Sequence, residues 1–209
     1  VIPFIDLLIN DSKKTLSVNT IGLNKEGQVF GSNTDVYGLE QGFTNKLDRR
    51  NLDQNTVLIL GAGGVTLSVI YVLLKNKIKQ ISISNRTIKK AEDIKKQFPF
   101  IEIIKWENVE VIAENVDIII NATSLGLKNG CEFKQEFKVT KPNLIYFDVI
   151  YNPVETGIIK KFKKRKIQTY NGLEMFIYQA QKSFSLWNDI KPEIDDELKL
   201  KMIAKLKWL

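Results

Sequence analysis

The chain has 209 residues, 44% of them hydrophobic and 26% charged, so it can bury a core and is not a disordered segment. It contains no histidine and one cysteine, Cys131, which excludes histidine-based acid–base catalysis, a Ser-His-Asp triad, zinc sites that need imidazole and an intrachain disulfide. The net charge of +7 is spread mostly over helix-like surfaces, and no apolar run reaches the roughly 18 residues of a membrane span. We therefore expect a soluble, cytoplasmic α/β protein that binds neither nucleic acid nor membrane and holds no metal.

The first predicted element is a helix at the start of the chain. Residues 1–8 carry apolar side chains that resemble the buried side of a helix whose beginning is absent. Further on, apolar runs predict strands at 56–60, 81–84, 101–104, 116–121, 144–150 and 167–170. Helical patterns lie at 65–74, 87–98 with Thr87 as N-cap, 175–187 and 194–209, and another helix closes at 160–166. Strands that alternate with helices imply βαβ units, and continuous apolar runs are typical of parallel strands covered on both faces.

A glycine turn follows the strand at 56–60 and opens the next helix. Its residues are Gly61-Ala62-Gly63-Gly64. Glycine permits the tight turn and lets backbone N–H groups approach a pyrophosphate at the helix N-terminus. Thr66 stands where such turns usually have a small third residue. An ordinary strand-to-helix turn is the alternative, but the strand and helix on either side favour nucleotide binding.

The next strand ends in Ser84-Asn85-Arg86-Thr87 and carries no carboxylate. An NAD-specific site usually has an aspartate or glutamate here to hold the ribose 2′-hydroxyl. Arg86 can instead pair with a 2′-phosphate through two hydrogen bonds, and Lys90, one helical turn on, adds positive charge. Both cations could also be solvated residues at a helix start. Together with the glycine turn they favour NADP over NAD.

Five further motifs surround the glycine turn and the Asn-Arg-Thr segment. They are Val18-Asn19-Thr20, Gly31-Ser32-Asn33-Thr34-Asp35-Val36-Tyr37-Gly38, Asn121-Ala122-Thr123-Ser124-Leu125-Gly126, Tyr151-Asn152-Pro153 with Thr156, and Asn171-Gly172-Leu173-Glu174-Met175-Phe176-Ile177-Tyr178-Gln179-Ala180. The most specific is the Asn-Thr-Asp-x-x-Gly segment at 33–38. In this order, the motifs resemble those of the shikimate dehydrogenase family over about residues 1–190.

The resemblance implies NADPH-dependent reduction of 3-dehydroshikimate to shikimate, in aromatic amino-acid biosynthesis. It also implies an α/β fold with a Rossmann-like, doubly wound parallel sheet for the cofactor, NADP, plus remnants of a smaller, discontinuous α/β substrate domain. Residues 1–34 would be the end of the first segment of the substrate domain, and residues 35–171 would form the cofactor domain. Residues 172–209 would return to the substrate domain. The expected partner is a small-molecule substrate, shikimate or 3-dehydroshikimate, and the expected state is a monomer or homodimer.

Roles carry over from the resemblance residue by residue. Asp35 resembles the catalytic-site aspartate, expected to stay ionised beside a lysine ammonium, although it could also serve as a helix N-cap. Substrate contacts are implied for Asn19, Tyr151 and Gln179. Cofactor contacts are implied for Gly61, Ala62, Gly63, Gly64, Asn85, Arg86, Thr87, Lys90, Thr123, Ser124, Val149, Gly172 and Met175. Met175 could equally be a core residue.

The family's general acid/base is a lysine in an Asn-Val-Thr-x-Pro-x-Lys segment, and paired serines near the N-terminus bind the substrate carboxylate. Neither element occurs in this sequence. The resemblance therefore implies either a fragment of a normal enzyme or a protein that lost its first half, and the intact Asn19, Asp35 and Gln179 favour the fragment. We expect residues 1–209 by themselves to be an incomplete enzyme and a poor catalyst.

Two other functions stay open at this point. A quinate/shikimate dehydrogenase would tolerate NAD, which Arg86 argues against. A non-catalytic nucleotide-binding relative would keep the glycine turn without the chemistry.

Overall fold

The structure is a computed structural model, and it describes residues 1–47, 52–127, 131–138 and 141–206. The strands are β1 (Leu7–Ile9), β2 (Thr20–Leu23), β3 (Val29–Ser32), β4 (Thr56–Leu60), β5 (Gln80–Ser84), β6 (Glu102–Ile104), β7 (Ile118–Asn121), β8 (Ile145–Asp148) and β9 (Gln168–Tyr170). The α-helices are α1 (Ser12–Thr15), α2 (Asp35–Gly42), α3 (Gly64–Lys75), α4 (Ile88–Gln97), α5 (Val109–Ala113), α6 (Gly157–Lys164), α7 (Leu173–Asn188) and α8 (Asp196–Leu206). Short 3-10 helices lie at Ile2–Phe4, Thr44–Lys46, Leu52–Gln54 and Trp106–Asn108.

Contacts between residues divide the chain into two compact units. The first comprises Val1–Leu47, Leu67–Val72 and the described residues from Glu174 onward, and the second comprises Leu73–Leu173 and the described residues between Leu47 and Leu67. This division places α2 in the first unit, whereas the predicted cofactor domain begins at residue 35. The predicted domain boundaries stay a prediction.

The first unit contains a three-stranded sheet in the order β1-β3-β2, with β1 parallel and β2 antiparallel to β3. The helix predicted at residues 1–8 is wrong: a short 3-10 turn leads into β1, and Val1 and Phe4 are 62% and 82% exposed. Eight apolar-rich residues are too few to fix a period. The backbone of this segment pairs with β3, with Leu7 opposite Phe30.

Helices α2 and α7 approach closely in this unit because two glycines of α2 face the start of α7. A side chain built on Gly38 would overlap the carbonyl oxygen of Met175, and one on Gly42 would overlap the backbone nitrogen of Met175. Lys46, just beyond α2, pairs with Glu174 at 2.5 Å. The indole nitrogen of Trp187, near the end of α7, donates to the carbonyl of Ile21 in β2.

The second unit is built on a six-stranded, fully parallel sheet in the order β6-β5-β4-β7-β8-β9. In sequence order within the unit this is 3-2-1-4-5-6, the order of doubly wound dinucleotide-binding sheets. The predicted fold class is therefore confirmed. The strand order reverses between β4 and β7, where Leu60 is paired with Asn121. Ligands of such sheets bind at the carboxyl edge beside this reversal.

The core of the second unit explains why its strands were predictable. Side chains on both faces of β4, β7 and β8 are buried, among them Leu58, Ile59, Ile119, Ile120 and Phe147. Each such side chain contributes about 1.5–3 kcal/mol when fully removed from water. Among the described residues, no helix is both long and apolar enough to cross a membrane.

Candidate active site

The glycine turn after β4 has a backbone conformation that only glycine adopts easily. Gly61 has φ +111°, and a Cβ built on it would lie 2.6 Å from the carbonyl oxygen of Ala122, the residue after β7. The turn therefore packs directly against the next strand at the reversal point. Beyond it, a Cβ on Gly64 would meet no atom within 4 Å, so space is open above the first turn of α3.

Thr66 is larger than the residue that usually stands at the third position of such a turn, and its hydrogen bonds explain why it fits. Its hydroxyl donates to the carbonyl of Gly61 at 3.2 Å and accepts from the N–H of Gly63 at 3.1 Å, and the residue is fully buried. The threonine thus holds the turn from inside instead of crowding a ligand outside.

Asn85 links the glycine turn to the end of the second strand of the sheet. Its Oδ1 accepts from the N–H of Ala62 at 3.2 Å, and its Nδ2 donates to the carbonyl of Thr87 at 2.7 Å. The amide thus makes a hydrogen bond through each of its two polar atoms and holds two turns together. Thr87 occupies the predicted N-cap position of α4, but its side chain makes no capping hydrogen bond.

A cavity of about 570 Å³ opens at this carboxyl edge. It is lined by nine of the residues predicted to contact cofactor: Gly61, Ala62, Gly63, Asn85, Arg86, Thr87, Lys90, Thr123 and Ser124. It is also lined by Trp106, Ala122, Leu125, Glu132, Lys134 and Gln135. Among the described residues neither Arg86 nor Lys90 has an ion-pair partner, whereas the neighbouring Lys89 pairs with Glu92 and Asp93. Two cations are thus available to an anion in the cavity.

The other predicted cofactor residues lie outside the described lining of this cavity. Gly64 begins α3. Val149 and Gly172 contact each other, since a Cβ on Gly172 would overlap the carbonyl of Val149. Met175 belongs to the first unit, where it is buried and its backbone packs on α2. Cofactor roles for these residues stay predictions.

A hydrogen-bonded cluster in the first unit brings together three of the predicted substrate and catalytic residues. Asn19 Nδ2 donates to Asp35 Oδ1 at 2.8 Å, and Asn19 Oδ1 accepts from the backbone N–H of Thr34 at 2.9 Å. A backbone N–H can only donate, so this contact fixes which way the Asn19 amide points. The Thr34 hydroxyl lies 3.4 Å from Gln179 Oε1 on α7.

Asp35 is the first residue of α2 and not its N-cap. Thr34 occupies the cap position, and the N–H of Asp35 donates to Asn33 Oδ1 at 3.0 Å. Burial raises the pKa of Asp35, and the hydrogen bond from Asn19 partly offsets this. No lysine of the described chain is paired with Asp35, and the lysine that the family resemblance would place beside it does not occur in this sequence. Among the described residues Asp35 Oδ2 has no hydrogen-bond partner, so it is free to accept from a hydroxyl group.

Three hydroxyls buried beneath this cluster come from three separate segments. Ser183 Oγ on α7 lies 2.7 Å from Thr20 Oγ1 and 3.0 Å from Thr34 Oγ1. Ser183 also donates to the carbonyl of Gln179, one helical turn back. The hydroxyls thereby connect the segment of Asn19, the start of α2 and the α7 turn that carries Gln179.

Tyr151, the remaining predicted substrate residue, lies in the second unit just after β8 and is half-buried. Its predicted substrate contact is not tested by the structure. Within the part of the chain that is described, no group of three or more histidine, cysteine, aspartate or glutamate side chains is placed to hold a metal ion.

Comparison with known proteins decides the family. The profile described as "Shikimate / quinate 5-dehydrogenase" matches residues 44–151, and the one described as "Shikimate 5'-dehydrogenase C-terminal domain" matches residues 172–196. A protein of Pelagibacter ubique named "Shikimate dehydrogenase (NADP(+))" is 44% identical over 200 residues, which cover 94% of this chain and 72% of the relative. The chain belongs to the shikimate dehydrogenase family.

Solved structures agree with this assignment. The chain is similar to shikimate dehydrogenase of Aquifex aeolicus with a TM-score of 0.83 and 29% identity, covering 97% of this chain and 72% of that one. It is also similar to a shikimate dehydrogenase crystallised in complex with NADP+, with a TM-score of 0.81 and 30% identity, covering 98% and 72%. The resemblance predicted from the sequence motifs is confirmed.

Several residues around these sites of the shikimate dehydrogenase chain escaped sequence reasoning. Thr20 and Thr34 stand inside quoted motifs, but nothing marked them as connecting residues. Ser183 carried no signal, because a serine on a helix is usually solvated. Glu132, Lys134 and Gln135 reach the cavity from an irregular segment without any motif.

The hydroxyl cluster gives a stability prediction with a matched control. Ser183→Ala removes the partner of two buried hydroxyls, so the free energy of unfolding should fall by about 1–3 kcal/mol. Ser185→Ala removes the same type of hydroxyl-to-carbonyl bond, to Gln181 at 2.9 Å, and among the described residues Ser185 has no side-chain hydrogen bond to another segment. It should cost about 0.5 kcal/mol or less. Urea unfolding of the two variants measures the difference, and equal losses would contradict a connecting role for Ser183.

Proposed function

We propose that the protein catalyses the NADPH-dependent reduction of 3-dehydroshikimate to shikimate. The observation that carries this is the cluster in which Asn19 bonds to Asp35 and Thr34 connects both to Gln179. Three polar side chains of the kind that bind a polyol come from three segments to one place, and one carboxylate oxygen is left open. Family membership supports the same reaction.

The second unit fits NADP by its own geometry. The glycine turn leaves open space above the N-terminus of a twelve-residue helix, where backbone N–H groups attract a pyrophosphate. Arg86 and Lys90 line the same cavity and would hold the 2′-phosphate. Thr123 and Ser124, after β7, would line its other end. The cofactor, when bound, supplies a hydride to the carbonyl carbon of the substrate.

The residues of the first unit would bind and orient the substrate. Asp35 Oδ2 would accept a hydrogen bond from a substrate hydroxyl, because Oδ1 is already occupied by Asn19. Gln179 can both donate and accept, which suits a second hydroxyl. The hydroxyl cluster beneath them would hold Asn19, Asp35 and Gln179 in fixed positions relative to one another. We propose small-molecule ligands as the partners of the protein, and a monomeric or homodimeric state.

Arg86→Ala tests the cofactor assignment. Loss of a charge-assisted pair should weaken NADPH binding by about 1.5–3 kcal/mol, roughly 10- to 150-fold, and leave NADH binding nearly unchanged. Fluorescence titration of residues 1–209 with each cofactor measures both affinities. Lys89→Ala is the matched control, since Lys89 lies nearby on α4 but pairs with Glu92 and Asp93.

The unaltered protein should bind NADPH more tightly than NADH. Equal affinities for the two cofactors would contradict NADP specificity. A similar loss of NADPH affinity in the Lys89→Ala variant would show that binding depends on overall positive charge and not on Arg86 in particular.

A further inference from the structure

Asp148 carries a buried carboxylate that none of the roles above uses. It ends β8 and is completely buried. Its Oδ1 accepts from Asn121 Nδ2 at 3.0 Å and from the N–H of Ile150 at 3.1 Å. Its Oδ2 accepts from the hydroxyls of Tyr146 at 3.1 Å and Thr156 at 2.9 Å. Four donors therefore converge on one side chain.

All four donors are neutral. Among the described residues no lysine or arginine pairs with Asp148. The titratable group that faces it is Tyr146 on its own strand, while β7 contributes only the Asn121 amide and the start of α6 only the Thr156 hydroxyl. Glu132 lies against Gly157 in the first turn of α6, and its negative charge contributes to raising the pKa of Tyr146. Burial raises the pKa of Asp148 to about 6, and the four hydrogen bonds oppose that rise.

The donors belong to three segments that meet at the carboxyl edge of the sheet. Asn121 ends β7, Ile150 lies in the turn after β8, and Thr156 is the N-cap of α6 and accepts from the N–H of Ile159. The carboxylate makes hydrogen bonds to all three segments. A charged acceptor makes stronger hydrogen bonds than a neutral one, so its ionised form holds these segments most firmly.

The Asn121 amide links Asp148 to residues that line the cavity. With Nδ2 directed to Asp148 and to the carbonyl of Leu125 at 3.1 Å, its Oδ1 faces Thr123. That oxygen accepts from both the N–H of Thr123 at 3.0 Å and its hydroxyl at 2.7 Å. The Thr123 hydroxyl in turn accepts from the N–H of Leu125. Residues 123–125, which line the cavity, are thus shaped by the orientation of one amide.

We propose that Asp148 is a positioning residue for the dinucleotide: its ionised carboxylate sets the Asn121 amide and, through it, the loop at 123–125 that lines the cofactor cavity. The inference rests on the proposed function in taking NADP as the ligand. It adds that the affinity for NADP falls when Asp148 is protonated.

The test is calorimetric titration of residues 1–209 with NADP+ between pH 5.5 and 8, alongside thermal melts at each pH. Asp148→Asn keeps the shape of the side chain, and the hydroxyls of Tyr146 and Thr156 can reverse to accept from its amide. It should weaken binding about five- to tenfold at pH 7.5, because charge-assisted bonds become neutral ones. A purely structural role would lower the melting temperature and leave the affinity of the folded protein unchanged.

Tyr146→Phe gives an independent measurement. It removes one donor that favours the ionised form, so the pKa of Asp148 rises and the loss of affinity on acidification should begin at higher pH. Any titration of the ligand's own phosphate stays the same in both proteins. Asp117→Asn is the matched control: Asp117 bonds to the start of β4, at the opposite edge of the sheet, and its pKa is lowered.

Each outcome bears on the proposal. An Asp148→Asn affinity and pH profile like those of the unaltered protein, or an unmoved profile in Tyr146→Phe, would overturn the role of Asp148. An equal effect in Asp117→Asn would overturn it as well. Failure of the unaltered protein to bind NADP+ at any pH would instead overturn the proposed function.

Discussion

Turnover with 3-dehydroshikimate is expected to fall by about 10²–10⁴-fold in an Asp35→Asn variant of the full-length protein. The asparagine oxygen can still accept from Asn19 Nδ2, as Asp35 Oδ1 does now. The other carboxylate oxygen, however, becomes an NH₂ group that cannot accept from a substrate hydroxyl. A steady-state assay that follows NADPH oxidation measures the loss.

The affinity for NADPH is the internal control, because the glycine turn and Arg86 belong to the other unit. Stability should change little, since Asp35 is the first residue of α2 and Asn33 already caps its N–H. Near-normal turnover would show that Asp35 is only a helix-start residue. A parallel loss of NADPH affinity would show that the substitution disturbs more than the substrate cluster.

Gly61→Ala should prevent cofactor binding and destabilise the protein by about 2–6 kcal/mol. Two costs add up: a side chain at φ +111° is strained by about 1–3 kcal/mol, and contact with the Ala122 carbonyl at 2.6 Å costs about as much in overpacking. Relief of either cost would pull the turn away from β7, so the backbone N–H groups of the turn would no longer face the cavity.

Gly64→Ala is the matched control for this change. It lies three residues on, at the start of α3, and an added Cβ would meet nothing within 4 Å. Its stability should stay within about 1 kcal/mol of the unaltered chain. Urea unfolding of both variants, with NADPH titration, checks the pair. A Gly61→Ala variant as stable as Gly64→Ala would mean that the turn does not need its present conformation.

The sheet of the second unit could be predicted because its strands are continuous apolar runs. The run at 56–60 became β4 with the same bounds, and the runs around Ile83, Ile119 and Phe147 became β5, β7 and β8. The strands β2 and β3 escaped prediction because each is four residues long and interrupted by a glycine, Gly22 or Gly31. Their pairing depends on distant partners, which a local pattern does not contain.

The candidate site was predictable in its chemical types but not in its connections. Motifs marked Asn19, Asp35 and Gln179, and the structure places them in one hydrogen-bonded cluster. Nothing in the sequence indicated that Ser183 or Asp148 would connect such residues, because a serine and an aspartate are most often solvated. Their roles arise from tertiary packing that brings donors and acceptors of separate segments together.

The two glycines of α2 that face α7 give the Asn-Thr-Asp-x-x-Gly motif a mechanical meaning. Gly38, the last residue of that motif, lies one turn after Asp35, and a Cβ built on it would overlap the carbonyl oxygen of Met175 and lie 3.0 Å from the Cβ of Gln179. Because Gly38 has no side chain, the two helices can approach closely, and this approach sets the distance between the carboxylate of Asp35 and the amide of Gln179. Even a methyl group at residue 38 would push the two helices apart. The distance between Asp35 and Gln179 would then increase before the fold itself was lost.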